Sequence, residues 1–89
     1  MIGYLRGRVI RAGMERLLLD VGGVGYEVQV SLATYSALQA SGKDEIGLYV
    51  HTHLWSDGLA LYGFWTELEK RLFERLITVS GIGPRLARV

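Results

Sequence analysis

The segment Ser80-Gly81-Ile82-Gly83-Pro84-Arg85-Leu86-Ala87 carries the clearest chemistry in the chain. Two glycines around one aliphatic residue let a backbone approach a bound group closely, and Pro84 suits the first position of a helix. The free amides opening that helix would point outward with the positive end of its dipole, forming an anion site that needs no lysine cluster. Arg85, in the first turn, is placed to add a charge-assisted contact. Ile82 would pin the turn by packing back between the flanking helices. On Gly81-Ile82-Gly83 alone, a phosphate-binding hairpin and an ordinary helix-turn-helix corner fit equally well. With an aliphatic helix ahead and Leu86-Ala87 behind, the stretch reads as a helix-hairpin-helix, which holds DNA by its backbone and carries little base information.

The other candidates are weaker. His51 and His53 share one strand face, but no third ligand is apparent and zinc normally takes three or four, so no metal is expected. Gly22-Gly23-Val24-Gly25 invites a nucleotide-loop reading and fails on context: no GxxxxGK[ST] occurs in the chain, and Tyr26 continues a strand. Ser56-Asp57-Gly58 is read as a tight hairpin turn, which Asp-Gly favours by itself. Arg6 and Arg8 lie on one strand face and could meet DNA or a neighbouring subunit, although a solvated face is the commoner use. Trp55 and Trp65 could stack on bases; core or interface packing is the expected role for both, since duplex arms offer no free base. No nucleophile-base pair, metal set or cofactor loop is in view, so neither catalysis nor a cofactor is expected.

Composition narrows the setting in which these groups act. Eighty-nine residues make one small core with at most a short appendage. A hydrophobic content of 49% excludes a disordered chain. No apolar run approaches the roughly 18 residues of a membrane span. There is no secretory leader pattern and no cysteine, which fits a cytoplasmic protein with no membrane partner. The net charge of +1 gives no global attraction to nucleic acid, so phosphate contacts must come from a local arrangement.

Residues 1–64 read as strands and 65–89 as the start of a helical unit. Val24, Tyr26, Val28 and Val30 alternate with more polar neighbours, as do Ile46, Leu48, Val50, Thr52 and Leu54, the period of half-buried strands. The opening strand, from Ile2, holds Gly3 and Gly7 in its interior, marks of a bend or close backbone approach and hence of a barrel. Short turns make the first three strands an antiparallel meander. Ser31 is a helix cap followed by apolar Leu32, Tyr35 and Leu38. Five strands with a helix after the third is the plan of an OB-fold, a mainly β, five-stranded Greek-key barrel; an SH3-like barrel is the competitor that this helix disfavours. Thr66-Glu67-Leu68-Glu69 is a capping box. The helix behind it, about 67–79, is expected to turn Leu68, Leu72, Phe73, Leu76, Ile77 and Val79 inward, with Glu67, Lys70, Arg71 and Glu74 largely opposite.

Four segments together carry a family resemblance: MIGYLRGRV, DVGGVGYEV, LYGF and LITVSGIGPRLA. In this order and spacing they resemble the RuvA family, bacterial subunits that bind Holliday junctions. The resemblance spans the whole chain. It implies an OB-like first domain, a second domain with two helix-hairpin-helix motifs, and a third that contacts the RuvB motor ATPase. On that plan the chain ends inside the second domain. It further implies a homotetrameric platform that holds a four-way junction open while RuvB hydrolyses ATP, with the RuvC resolvase as a further partner. In the family, two adjacent acids between strands four and five form a pin near the junction centre. Ser56 and Asp57 hold the matching positions, so Ser56 departs from the pattern and about half of the pin's charge is missing.

Overall fold

The computed structural model describes residues 1–79 of the chain. Its elements are β1 (Tyr4–Ala12), β2 (Arg16–Val21), β3 (Val24–Val30), α1 (Leu32–Ser41), β4 (Glu45–Trp55), β5 (Gly58–Phe64) and α2 (Glu67–Val79). The strands close into a barrel in the order β1-β2-β3-β5-β4. Four of the pairings are antiparallel. The fifth, β3 with β5, is parallel, so the chain between them must cross over, and α1 and β4 make that crossover. This is the five-stranded OB-type plan with its helix after the third strand.

Closure depends on β1 serving two partners. Its first half, Tyr4 to Arg8, pairs with β4, while Arg8 to Ala12 pairs with β2. Gly7 sits where the strand changes partner. A Cβ there would collide with the carbonyl oxygen of Asp20, so only glycine lets the two backbones come this close. A register shift between Val9 and Arg11 adds to the bend. The strand begins at Tyr4 rather than Ile2, yet the preceding residues stay on β4: Thr52 Oγ1 donates to the Ile2 carbonyl at 2.7 Å, and the Val50 amide donates to the Gly3 carbonyl at 2.9 Å. Gly22 and Gly23, at φ of 60° and 91°, make the β2–β3 turn that glycine alone adopts without strain.

Period-two alternation turns Leu5, Leu17, Leu19, Val28, Val30, Ile46, Leu48, Val50 and Leu61 into the barrel. Helix α1 plugs the barrel with Leu38 and the fully buried Thr34. Its cap is the expected one: Ser31 Oγ accepts from the Thr34 amide at 3.1 Å. The buried stripe differs from the apolar pattern, however, since Leu32 is 62% exposed. Thr34 takes the inward place because its hydroxyl is satisfied by Ser31 Oγ at 3.2 Å, so burying it leaves no polar atom unpaired.

The capping box forms at α2. Glu69 Oε1 accepts from the Thr66 amide at 3.0 Å, and Thr66 Oγ1 accepts from the Glu69 amide at 3.3 Å. The face that α2 presents to the barrel is not the leucine face. Phe73 is the buried residue, against Tyr62 and Phe64 of β5, with centroids 5.4 and 4.9 Å away. Leu68, Leu72 and Leu76 are 66%, 55% and 41% exposed, and Glu74 turns to the barrel. The aromatic surface of β5 selects Phe73, and Leu68, Leu72 and Leu76, which at about 100° per residue lie roughly 60° to 140° around the helix to one side of it, stay exposed. Covered by α2 on its outer side and by the core on its inner side, β5 is buried on both faces from Leu61 to Phe64.

Candidate nucleic-acid interface

The hairpin residues Gly81, Ile82, Gly83 and Arg85 lie outside the described residues. Of the remaining expected positions, Ser56 and Asp57 form the two-residue turn that closes β4 onto β5, beyond the last paired rung of Trp55 with Gly58. Neither has a positive φ. Ser56 Oγ donates to Asp57 Oδ1 at 2.7 Å, and both side chains are exposed. The turn therefore presents one carboxylate to solvent, on the rim of the hairpin.

Arg6 and Arg8 share the outer face of β1, as their spacing requires. Each faces a carboxylate across the ladder: Arg6 Nε lies 3.6 Å from Glu45 Oε2, and an Arg8 guanidinium nitrogen lies 3.9 Å from Asp20 Oδ2. Arg16 and Glu27 repeat the arrangement at 3.6 Å on β2 and β3. Both arginine side chains remain about two-thirds exposed, so these pairs add little stability and the guanidinium groups stay accessible to a stronger anion. This is a solvated, charge-alternating face, with opposite charges placed across the β1–β4, β1–β2 and β2–β3 pairs.

The histidines separate in role. His51 Nδ1 is 2.8 Å from Glu74 Oε2, in a pair formed with the imidazole N–H donating to the carboxylate. Its ring also packs edge-on against Phe73, at 5.5 Å between centroids. His51 thus fastens α2 to β4. His53 is not drawn into that contact and lies beside Trp55, at 5.7 Å. Among the described residues, no group of three or more His, Cys, Asp or Glu is arranged to hold a metal ion. The His51–Glu74 contact joins residues 23 apart on different elements, and no local spacing announces it.

The tryptophans also part. Trp65, at the end of the barrel, is partly buried against the core, as expected of a packing residue. Trp55 is not: it is 51% exposed, beside exposed Leu54 and Leu59 at the hairpin tip. Of the core or interface packing expected for Trp55, the core role is not met. Alternation puts Leu54 in the inward phase, yet Leu54 is 53% exposed, because β4 and β5 run past the strands that pair with their other edges. Gly22 to Gly25 are turn and strand residues, in keeping with the rejection of a nucleotide loop.

Residues 1–63 match the family model described as the RuvA N terminal domain. Over 87 residues, 98% of the chain, it is 48% identical to the Holliday junction branch migration complex subunit RuvA of Acidobacterium capsulatum. Identity to the subunit of the same name is 49% in Syntrophobacter fumaroxidans, over 98% of the chain, and 46% in Geobacter sulfurreducens, over 99% of it. The chain spans less than half the length of these relatives, 43% of the first and 44% of the other two.

Proposed function

The chain belongs to the RuvA family, and from that premise we propose that it is the DNA-binding front part of a Holliday junction subunit, non-catalytic and independent of base sequence. The observation that carries this reading is the match to junction subunits along nearly the whole chain, on a barrel of the OB plan. In this reading Gly81, Ile82, Gly83 and Arg85 contribute a phosphate-binding hairpin in a helical unit that begins at residue 65. The turn of Ser56 and Asp57 is the pin, with a single carboxylate to repel phosphates near the branch point. Arg6 and Arg8 meet DNA or a neighbouring subunit by exchanging Glu45 and Asp20 for it. The complete protein acts as a cytoplasmic homotetramer that holds the four-way junction open for RuvB, which supplies ATP hydrolysis, and that leaves access for RuvC.

A gel-shift titration against a four-way junction and a linear duplex of equal length tests this. The chain is compared with a form extended to the length of the relatives, and with Gly83→Pro in that form. The extended form is expected to prefer the junction, the short chain to bind more weakly and with strong salt dependence, and Gly83→Pro to weaken binding by removing an amide. Equal affinity of the extended form for junction and duplex would instead leave the barrel as an assembly module.

A further inference from the structure

The β4–β5 hairpin ends in an apolar surface that the barrel does not use. Leu54, Trp55 and Leu59 stand half exposed around the Ser56-Asp57 turn. The indole is held on two sides. It lies against Gly58, its cross-strand partner, where an added Cβ would come within 3.2 Å of ring atom Cζ2, and the His53 ring flanks it at 5.7 Å. An aromatic group ordered before binding loses little rotamer freedom when a ligand covers it.

Charge decides what can cover this surface. From His53 to Tyr62 there is no lysine or arginine, and Asp57 is the one formally charged side chain. Along this segment a phosphate would meet a carboxylate and no lysine or arginine. Asp57 Oδ1 already accepts from Ser56, whereas Oδ2 has no partner among the described residues. The site therefore suits a flat, largely apolar group with a hydrogen-bond donor on its edge. A nucleobase with an exocyclic amino group is such a group, and carboxylates accept from these amino groups. In five-stranded barrels of this plan, the β4–β5 loop is one of the two loops that bind oligonucleotides.

The geometry points to Trp55 as a stacking platform for a nucleobase that has left the duplex, with Asp57 accepting from the base's amino group. The inference rests on the DNA-binding reading above and adds to it: the tip selects unpaired bases, because a duplex arm keeps both faces of every base stacked. An aromatic surface at the turn then complements the single remaining acid, the carboxylate turning away phosphates while the indole receives a base.

The test uses the chain carrying Trp65→Phe, so that Trp55 is its only indole. It is titrated with an end-labelled four-way junction, a mixed-sequence single strand and a blunt duplex, reading tryptophan emission and label anisotropy together. Quenching by the junction and the single strand, but not by the duplex, is expected. In the chain that keeps Trp65, Trp55→Ala should weaken single-strand binding about tenfold and Trp55→Phe less than about threefold, since stacking needs a ring rather than an indole. Far-UV circular dichroism checks that each variant is folded. Unchanged affinity in folded Trp55→Ala, or equal quenching by the duplex, overturns the platform. Light scattering covers the remaining occupant: a dimer that Trp55→Ala dissolves would assign the tip to self-association and overturn it too. The two readings fail separately. Stacking on the single strand without junction preference retains the platform and removes the junction role, whereas junction preference with unquenched Trp55 does the reverse.

Discussion

The barrel and helix α2 are held by different means. In the barrel every strand has two neighbours, and Leu19, Val28, Leu48 and Val50 are wholly excluded from solvent. Helix α2 carries its own start signal in the capping box, but it reaches the barrel through Phe73, partly buried Ile77 and the His51–Glu74 hydrogen bond. Its three leucines face outward. A closed sheet satisfies its own backbone and buries one continuous core, so its stability is shared among all five strands. A docked helix depends on a few contacts and can open locally while the rest stays folded.

Substitutions in the two regions should therefore fail in different ways. Leu48→Ala, at the centre of the barrel, is expected to cost about 4 kcal/mol and to melt barrel and helix together in denaturant titrations. A small, non-cooperative loss would break the contrast. Phe73→Ala removes a comparably buried ring, yet its cost is expected at about 2 kcal/mol, below the usual range for a core phenylalanine, because α2 can lift away instead of leaving a cavity. Hydrogen exchange sharpens this prediction: amides of α2 should lose protection while those of β2 and β3 keep theirs. The smallest effect belongs to His51 and Glu74. A double-mutant cycle with His51→Ala and Glu74→Ala should give a coupling of about 1 kcal/mol, as befits one partly buried hydrogen bond. Coupling near zero would leave Phe73 as the principal anchor of the helix.

These contrasts track what was legible in the chain. Strands β3 and β4 show alternation strong enough to place most of their residues, and Gly7 marks the bend in β1, because a missing side chain in a strand signals another backbone nearby. The same alternation overextends at Leu54, where the strand continues past the core. Helix α2 is bounded correctly by Thr66 and Glu69, since capping is a local interaction among residues three apart. The apolar pattern places Phe73 and Ile77 correctly and misplaces Leu68, Leu72 and Leu76, which are exposed, and Glu74, which reaches His51. An amphipathic pattern states which side is apolar but not which side meets this barrel, and here two aromatics of β5 chose Phe73 over the leucines. At the hairpin tip, Ser56 and Asp57 were visible as a turn, while the exposure of Trp55 was not.

What the amino-acid order determined alone is everything governed by neighbours within a few residues: strand periodicity, the caps at Ser31 and Thr66, and the turns at Gly22-Gly23 and Ser56-Asp57. Tertiary structure decided the rest. It set the partner change at Gly7, the inward place of Thr34, the face of α2, the His51–Glu74 link and the open side of Trp55. The reason is physical: each of these depends on a surface supplied by a strand or helix distant in sequence, and local propensity holds no information about which surface will arrive.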